Sequence, residues 1–230
     1  MCGRFSRKKA DKQRIAEAFH IHADDIAEDF ADEEDCAPGS MQPAVYATEA
    51  GEPSITAMRW GFKLPDRLLF NTKSEGVSES RFWQSRLGNR CIIPANSFFE
   101  WQHSSTNPGT KPGSKPGPKH EISIPNQSIF GLAALWSNWL NPKSNQWERT
   151  FSIFTSEPNE LMRTLHNRQP VILAPHEYTA WLAPSERPPL HLLRIFPKEK
   201  LEAHPVGPRT EPGGSQKAPP ELIPTTGFLF

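Results

Sequence analysis

The pattern of apolar and polar positions along the chain predicts mainly β-strands. Apolar or alternating runs of strand length recur between clusters of Gly, Pro, Asn and Ser, as strands separated by turns do. The runs are VYATE, PSITAMRWGF, RCIIPANSFFEWQ, HEISIPN, SIFGLAALWSNWL, RTFSIFTSE and QPVILA. We expect each of them to lie in a sheet.

A smaller number of segments has helical spacing. The first covers residues 6–19, where Ser6 can cap a helix and Ile15 and Phe19 share one face. SESRFWQSRLGN, EPNELMRTLH and PHEYTAWL predict three shorter helices. The acidic stretch that ends at Asp35 predicts a loop or a frayed helix.

Strands therefore dominate, and no regular alternation of strand and helix occurs along the chain. This order predicts an α+β fold: a single domain with a mostly antiparallel sheet that is curled or barrel-like, with flanking helices. Two segments are rich in Pro and Gly. Residues 104–119 lie between two strand-like runs and predict a flexible loop, and residues 207–220 have a similar composition near the C-terminus.

The charges balance, with 26 basic and 26 acidic residues, which argues against a strongly basic nucleic-acid coat protein. They are nevertheless segregated along the chain. Residues 1–20 are rich in Lys and Arg, whereas residues 24–35 carry eight acids and no Lys or Arg. Because recognition depends on local charge, a basic patch can still bind nucleic acid here.

The three cysteines, Cys2, Cys36 and Cys91, are odd in number and widely spaced, which does not indicate a disulfide framework. The N-terminus lacks the apolar stretch of a secretory signal, and no segment approaches the ~18 apolar residues that a membrane span needs. We therefore expect a cytoplasmic protein with no membrane association. His20, His22 and Cys36 lack the spacing of metal ligands, so no metal site is expected.

The opening sequence MCGRFS places a cysteine at the second position. If Met1 is removed, Cys2 carries a thiol and a free α-amine on adjacent carbons. Such a group condenses with an aldehyde to an imine, and the thiol then closes a five-membered thiazolidine. The amine titrates near ~7.7–8.0 and the thiol near ~8.5, so a modest shift leaves the reactive forms available. The alternatives are attack on an acyl group and, on position alone, an accidental cysteine at a frayed end.

Three further segments carry side chains suited to chemistry. FFEW places Glu100 between aromatic residues, where burial can raise its pKa. LHNRQPVIL places His166 and Arg168 in a loop between a helix and a strand. FNTKSE offers Asn71, Lys73 and Glu75 after an apolar run. Each has a plainer interpretation on local sequence alone: a solvent-facing glutamate, a histidine satisfied by its packing, and an ordinary polar turn.

The order of these segments along the chain and their amino-acid sequences resemble the SOS-response-associated peptidase (SRAP) family of abasic site processing proteins. The resemblance rests on MCGRF, RWGF, FNTKSE, RCIIPANSFFEW, FTSEPNELMRTLHNRQPVIL and HPV. It implies one catalytic and DNA-binding domain over residues 1–206, with a flexible tail over residues 207–230. It also implies a monomer that needs no cofactor and whose partner is single-stranded DNA containing an abasic site.

The resemblance further implies a covalent reaction. The mature Cys2 would attack the ring-opened sugar aldehyde and form a thiazolidine crosslink that shields the lesion, with abasic-site lyase activity and self-removal of Met1 as further implied activities. Asn71 would hold the N-terminal residue or the sugar, Glu100 would shuttle protons, and His166 would assist opening of the sugar ring. An abasic sugar is mostly a closed hemiacetal, so an acid–base pair near the aldehyde fits this need.

DNA contacts are implied in the same way. Arg4, Lys73 and Arg168 would bind phosphates, and Trp101 or Trp60 would stack on a base or form a wall of the site. Lys73 stands where the family has an arginine, so a bidentate phosphate contact is missing at this position.

Other functions fit parts of the sequence. Class II glutamine amidotransferases also begin Met-Cys-Gly and attack a glutamine amide with that cysteine, but HNRQP and FFEW are not amidotransferase segments. An N-terminal-cysteine peptidase would cleave other proteins. A non-covalent reader of modified or single-stranded DNA would keep its binding when Cys2 is mutated, whereas a crosslinking protein would lose its adduct.

Overall fold

A computed structural model describes residues 2–8, 11–23, 26, 28–102 and 117–207. The strands in this part of the chain are β1 (Phe5–Arg7), β2 (Glu33–Cys36), β3 (Met41–Ala47), β4 (Pro53–Trp60), β5 (Phe62–Lys63), β6 (Leu68–Leu69), β7 (Asn71–Lys73), β8 (Arg90–Ala95), β9 (Ser97–Trp101), β10 (Lys119–Ser123), β11 (Phe130–Leu140), β12 (Trp147–Ser156), β13 (Gln169–Pro170), β14 (Ile172–Leu173) and β15 (Glu202–Val206). The α-helices are α1 (Lys12–Phe19), α2 (Arg81–Gln84), α3 (Glu160–Arg163) and α4 (Tyr178–Leu182), and single 3₁₀ turns occur at Pro175–Glu177, Leu190–Leu192 and Lys198–Lys200.

Five strands close a barrel. β3 pairs with β4 and β8, β8 pairs with β11, β11 pairs with β12, and β12 returns to β4 through a short parallel pairing. The short strand β7 also runs parallel to β12, with Asn71 opposite Ile153. All the other pairings in the ring are antiparallel, so the predicted α+β fold with a barrel-like sheet is confirmed.

A second, fully antiparallel sheet has the order β15-β10-β9-β1-β2. The chain passes to it from the barrel directly, because only Asn96 separates β8 from β9. Its inner face contributes Phe5 and Phe98 to the main core, where they pack with Trp60 and Phe151 of the barrel. The rings of Phe5 and Trp60 lie 5.1 Å apart. The main core therefore fills the space between sheet and barrel.

A second core lies under the helices. Ile15 and Phe19 of α1 pack with Tyr178 and Trp181 of α4 against the other face of the barrel wall. The rings of Phe19 and Tyr178 are stacked at 5.0 Å. The helices thus flank the barrel, as predicted.

The predicted start of the first helix is wrong. Ser6 lies inside β1 and is fully buried, whereas α1 begins at Lys12 and is capped by Asp11, whose side chain accepts a hydrogen bond from the Arg14 backbone N–H. The segment is a strand because it pairs on both sides, with Cys36 of β2 opposite Phe5 on one side and Phe98 of β9 opposite it on the other. Tertiary pairing overrides the local helical pattern here.

The acidic stretch is not a loop throughout, because its end forms β2. Basic residues of the first segment pair with acidic residues of this strand: Lys8 Nζ lies 3.1 Å from Glu34 Oε1, and Arg4 Nε lies 3.6 Å from Asp35 Oδ1. The segregation of charge along the sequence is therefore explained by two complementary neighbouring strands.

The remaining predicted strands and short helices are present. Most of the predicted loop at residues 104–119 lies outside the described residues, and Lys119 is the first residue of β10. Of the predicted tail at residues 207–230, all but Gly207 lies outside them as well. None of the helices in the described ranges is long and apolar enough to cross a bilayer.

Candidate active site

Cys2 lies at the edge of the main core, next to the end of β9. The hydrogen bond from the Phe99 backbone N–H to the Arg4 carbonyl oxygen (2.9 Å) extends the pairing of β1 and β9 toward the N-terminus. The Cys2 side chain is fully buried, and its Sγ lies 4.0 Å from the Arg4 carbonyl oxygen. An accidental cysteine at a frayed chain end is therefore excluded.

The Cys2 thiol differs from expectation in its acidity. Burial, together with the negative charge of Glu100, raises the pKa of Cys2 far above that of a free thiol. The resting group is thus a neutral thiol and not a thiolate, so a neighbouring base must remove its proton before it can act as a nucleophile.

Glu100 supplies a group of suitable acidity next to the thiol. It lies in β9 with 3% of its surface exposed, on the face of the strand that carries the core residue Phe98. Its Oε1 atom accepts no hydrogen bond from the described part of the chain. Burial raises the pKa of Glu100 to about 8, so the carboxyl group is mostly protonated at neutral pH. The predicted rise in its pKa is confirmed, and a solvent-facing glutamate is excluded.

His166 faces Glu100 from another part of the fold. It follows α3 and is 5% exposed, and its Nδ1 lies 4.0 Å from Glu100 Oε1. The backbone N–H of Arg168 donates a hydrogen bond to the same Nδ1 at 3.0 Å. A backbone N–H can only donate, so this contact needs a lone pair on Nδ1. The Arg168 carbonyl oxygen lies 3.2 Å from the same Nδ1 and would instead accept a proton from it, so the tautomer depends on which of the two contacts is made.

Asn71 faces the same core from the barrel. It lies in β7 opposite Ile153, a core residue that packs in the same cluster as Cys2. Both its Nδ2 and its Oδ1 are buried and find no hydrogen-bond partner among the described residues. An amide with neither group satisfied is unfavourable in a folded protein, so a ligand group or an ordered water is expected to bind at Asn71.

Arg168 and Lys73 lie together on the far end of β12. An Nη of Arg168 donates to Glu75 Oε2 at 2.7 Å and to the Thr155 carbonyl oxygen, and only 13% of the arginine side chain is exposed. Its Nε is buried and makes no hydrogen bond within the described chain. Lys73 lies opposite Thr155 and is exposed. The exposed Lys73 ammonium is therefore accessible to an anion, whereas the Arg168 guanidinium is largely buried against Glu75 and Thr155.

Arg4 and Trp101 are not part of this cluster. Side chains alternate across a strand, so Trp101 points away from the face that carries Phe98 and Glu100. The Lys119 ammonium lies 5.4 Å from the Trp101 ring centroid and 3.6 Å from Asp35, which also pairs with Arg4. Arg4 and Trp101 therefore lie on the outer face of the five-stranded sheet, across the sheet from Glu100.

Trp60 does not serve as an exposed stacking surface. It is fully buried, its ring lies parallel to that of Phe151 at 6.2 Å, and its Nε1 donates to the Phe70 carbonyl oxygen. It forms the floor of the core beneath the site. Of the two tryptophans considered for stacking, only Trp101 is partly exposed.

Two residues near the site had no role predicted from the sequence. Glu75 binds Arg168, and its position in FNTKSE was the only signal. His120 lies directly opposite Glu100 in β10, a juxtaposition set by strand register that no local motif reveals. Within the described ranges, no group of three or more His, Cys, Asp and Glu side chains could hold a metal ion.

The chain is similar to one protein family over most of its length. The family model described as SOS response associated peptidase (SRAP) matches residues 1–211. The abasic site processing protein YoqW of Bacillus subtilis is 28% identical over 231 residues, covering 90% of this chain and 92% of that protein. The abasic site processing protein HMCES of Xenopus tropicalis is 27% identical over 197 residues, covering 76% of this chain and 58% of that protein.

Solved structures share the fold. A protein from Bordetella bronchiseptica superimposes with a TM-score of 0.70 at 20% identity, covering 90% of this chain and 100% of that chain. A phage-related protein from the same organism gives a TM-score of 0.68 at 20% identity, covering 89% of this chain and 94% of that chain.

Proposed function

Because the chain belongs to the SOS response associated peptidase (SRAP) family, we propose that it processes abasic sites by forming a covalent thiazolidine crosslink through Cys2. The substrate would be single-stranded DNA, in which the sugar of an abasic nucleotide is accessible. The observation that carries the proposal is the buried cluster of a thiol, a protonated carboxyl group and an imidazole, together with the buried Asn71 amide on β7 of the barrel, which has no hydrogen-bond partner among the described residues.

The reaction requires that Met1 be removed, since only then is the Cys2 α-amine free. The amine adds to the aldehyde carbon of the ring-opened sugar, and loss of water gives an imine. The thiol sulfur then adds to the imine carbon, and its proton ends on the nitrogen. One aminothiol and one aldehyde thus give one thiazolidine and one water, so the balance needs no redox partner or cofactor.

Glu100 can take part in both steps of this reaction, the formation of the imine and the closure of the thiazolidine ring. In its protonated form it donates a proton to the hydroxyl that leaves as water. The resulting carboxylate then lies beside the neutral Cys2 thiol, whose electrostatic coupling to Glu100 is already present in the free protein. It can accept the thiol proton as the ring closes. A pKa of about 8 suits a group that must be both acid and base near neutral pH.

His166 and Asn71 would act on the sugar. The Nε2–H of His166 can donate to an oxygen of the hemiacetal as the ring opens, and the two unsatisfied groups of Asn71 can bind the freed hydroxyl or the N-terminal amine. Arg168, Lys73 and Arg4 would contact phosphates, and Trp101 would stack on a flanking base. Since one chain reacts with one lesion, a monomer suffices, and we expect it in the cytoplasm at damaged DNA.

A denaturing gel tests the proposal. Purified protein, with the loss of Met1 checked by mass, is mixed with a single-stranded oligonucleotide that carries one abasic site. We expect a band that survives heat and SDS, absent with intact DNA and absent for Cys2→Ser. Cys36→Ser is the matched control, since this thiol is also buried in the main core but lies away from Glu100's strand.

Other results would assign a different function. An adduct that persists in Cys2→Ser contradicts the role of the cysteine. Non-covalent binding by the wild type without any adduct supports a DNA reader. If the protein lacks Met1 and neither binds nor crosslinks, the proposal fails, and hydrolysis of glutamine and peptide substrates tests the amidohydrolase and peptidase alternatives.

A further inference from the structure

Glu75 joins three parts of the chain that carry site residues. It follows β7, the strand of Asn71, and its Oε2 accepts a hydrogen bond from Arg168 at 2.7 Å. Its other oxygen, Oε1, accepts the backbone N–H of Glu157 at 3.0 Å, just beyond the end of β12. One half-exposed carboxylate thus ties the end of β7 to the end of β12 and to the loop after α3.

Arg168 links Glu75 to His166, because its side chain binds Glu75 and its backbone N–H contacts the imidazole. Its guanidinium is anchored by Glu75 and by the backbone carbonyl and hydroxyl oxygens of Thr155. Its backbone N–H, two residues from His166, donates to the imidazole Nδ1. The Arg168 carbonyl oxygen also lies 3.2 Å from Nδ1, compared with 3.0 Å for its N–H nitrogen. A small rotation of this backbone would therefore exchange a donor for an acceptor at Nδ1.

The electrostatics agree with an anchoring role. Burial of part of Glu75 acts to raise its pKa, but the hydrogen bond from Arg168 and the two backbone hydrogen bonds outweigh it, and the pKa is lowered. Glu75 is therefore ionised at neutral pH. A charged pair in which the arginine is largely buried holds its geometry better than a pair between two exposed side chains.

We propose that Glu75 is a positioning residue for the crosslinking reaction: through Arg168 it fixes the backbone that sets the tautomer and orientation of His166. The inference rests on the proposed function for its catalytic consequence, but not for its structural one. With the Arg168 N–H held toward Nδ1, the ring presents Nε2–H to the sugar. Without Glu75, the Arg168 carbonyl oxygen can compete for Nδ1–H, and the population of the productive tautomer falls.

The test combines a spectrum with a rate. The imidazole ¹⁵N shifts of His166, assigned by comparison with His166→Gln, report which ring nitrogen carries the proton in the folded, DNA-free protein. We expect Nδ1 to be unprotonated in the wild type and a mixture of tautomers in Glu75→Gln. The single-turnover rate of crosslinking in the same variant should fall about tenfold, at the low end for partners that orient a functional histidine.

Glu148→Gln is the matched control. Glu148 pairs with Arg59 at the same distance of 2.7 Å and also accepts a hydrogen bond from Asn141, but it belongs to the opposite end of β12. It should change neither the tautomer nor the rate. Glu75→Asp retains the charge and should recover part of the rate, which separates positioning from a loss of folding.

The outcomes are distinguishable. A wild-type tautomer and a wild-type rate in Glu75→Gln overturn the inference, as does an equal effect in Glu148→Gln. If the wild type forms no crosslink but Glu75→Gln still shifts the tautomer, the positioning role stands and the proposed function fails. If the wild type crosslinks and the variant slows without any tautomer change, the inference is wrong and the function stands.

Discussion

At the scale of single residues, the burial of Glu100 is unfavourable for stability but gives the carboxyl group an acidity that suits proton transfer. Its carboxyl group is buried with Oε1 unsatisfied in the described chain, and its pKa is about 8. Burial without a full set of hydrogen bonds is unfavourable for a charged group. The arrangement is nevertheless useful at an active site, because it keeps a carboxylic acid protonated at neutral pH.

This residue should make the stability of the protein depend on pH. In the unfolded chain Glu100 loses its proton near pH 4.5, whereas in the folded protein it keeps the proton to about pH 8. The folded state therefore binds more protons in this window, and the free energy of unfolding falls as pH rises through it, by up to about 1.4 kcal/mol per pH unit. The contribution is fully present below pH 4.5.

Glu100→Gln removes this dependence. We expect its melting temperature to exceed that of the wild type by roughly 10 °C at pH 8, since ionisation of Glu100 costs the folded wild type about 4 kcal/mol by that pH and about 1 kcal/mol shifts the midpoint of a chain of this size by roughly 2–4 °C. The difference should shrink toward pH 5. Thermal melts of both proteins at pH 5, 6.5 and 8 measure it, and a gap that does not change with pH would show that Glu100 ionises normally.

How far the sequence predicts the site depends on the kind of property. The residue types in FFEW and LHNRQP indicated an acid and a histidine, and these two residues do meet. The burial of Cys2 and the strong rise in its pKa could not be predicted, because they depend on side chains distant in sequence that pack around the thiol.

At the scale of elements, the first segment shows why a local pattern can fail. Residues 6–19 have helical spacing, but β1 takes the beginning of this segment because β2 and β9 offer hydrogen bonds on both sides. The apolar runs and turn residues elsewhere predicted the long strands correctly, since both signals are local, but they did not predict β2, β6, β7 or β15. Strand pairing depends on residues that are far apart in the sequence, so the local periodicity of apolar residues does not predict it.

The true start of α1 can be tested by a pair of substitutions. Asp11→Ala should destabilise the protein by about 1 kcal/mol, the usual loss for a helix cap, because the Arg14 N–H loses its acceptor. Ser6→Ala should cost less, since the buried Ser6 Oγ makes no hydrogen bond within the described residues. Urea denaturation of the two variants compares them, and a larger loss for Ser6→Ala would contradict this assignment of the cap.

At the scale of the whole molecule, the candidate site lies where the two layers meet. Cys2 precedes β1, and Glu100 lies in β9 of the five-stranded sheet. Asn71 comes from β7 on the barrel, and His166 comes from the loop after α3. None of these side chains forms the cluster alone. Docking of the sheet on the barrel through the main core therefore assembles the candidate site as well as stabilising the fold.

The balanced charge of the chain has a consequence for DNA binding. With 26 basic and 26 acidic residues, any electrostatic part of the affinity for DNA would come from a few placed cations and not from net charge. If Arg4, Lys73 and Arg168 each neutralise one phosphate, the logarithm of the association constant should fall with the logarithm of salt concentration with a slope of about −2. Binding should weaken about 15-fold between 50 and 200 mM salt.

Fluorescence anisotropy of Cys2→Ser with a labelled single strand measures this slope without interference from crosslinking. Lys73→Met should reduce its magnitude by about 0.7, the value of one single-strand phosphate contact. Lys143→Met is the control, because Lys143 is exposed in the turn between β11 and β12, at the end of β12 remote from Lys73. A wild-type slope near zero would mean that the three cations do not bind phosphates and that affinity comes from stacking and neutral hydrogen bonds. Equal effects of the two lysine substitutions would instead indicate a diffuse electrostatic attraction, without a phosphate site at β7.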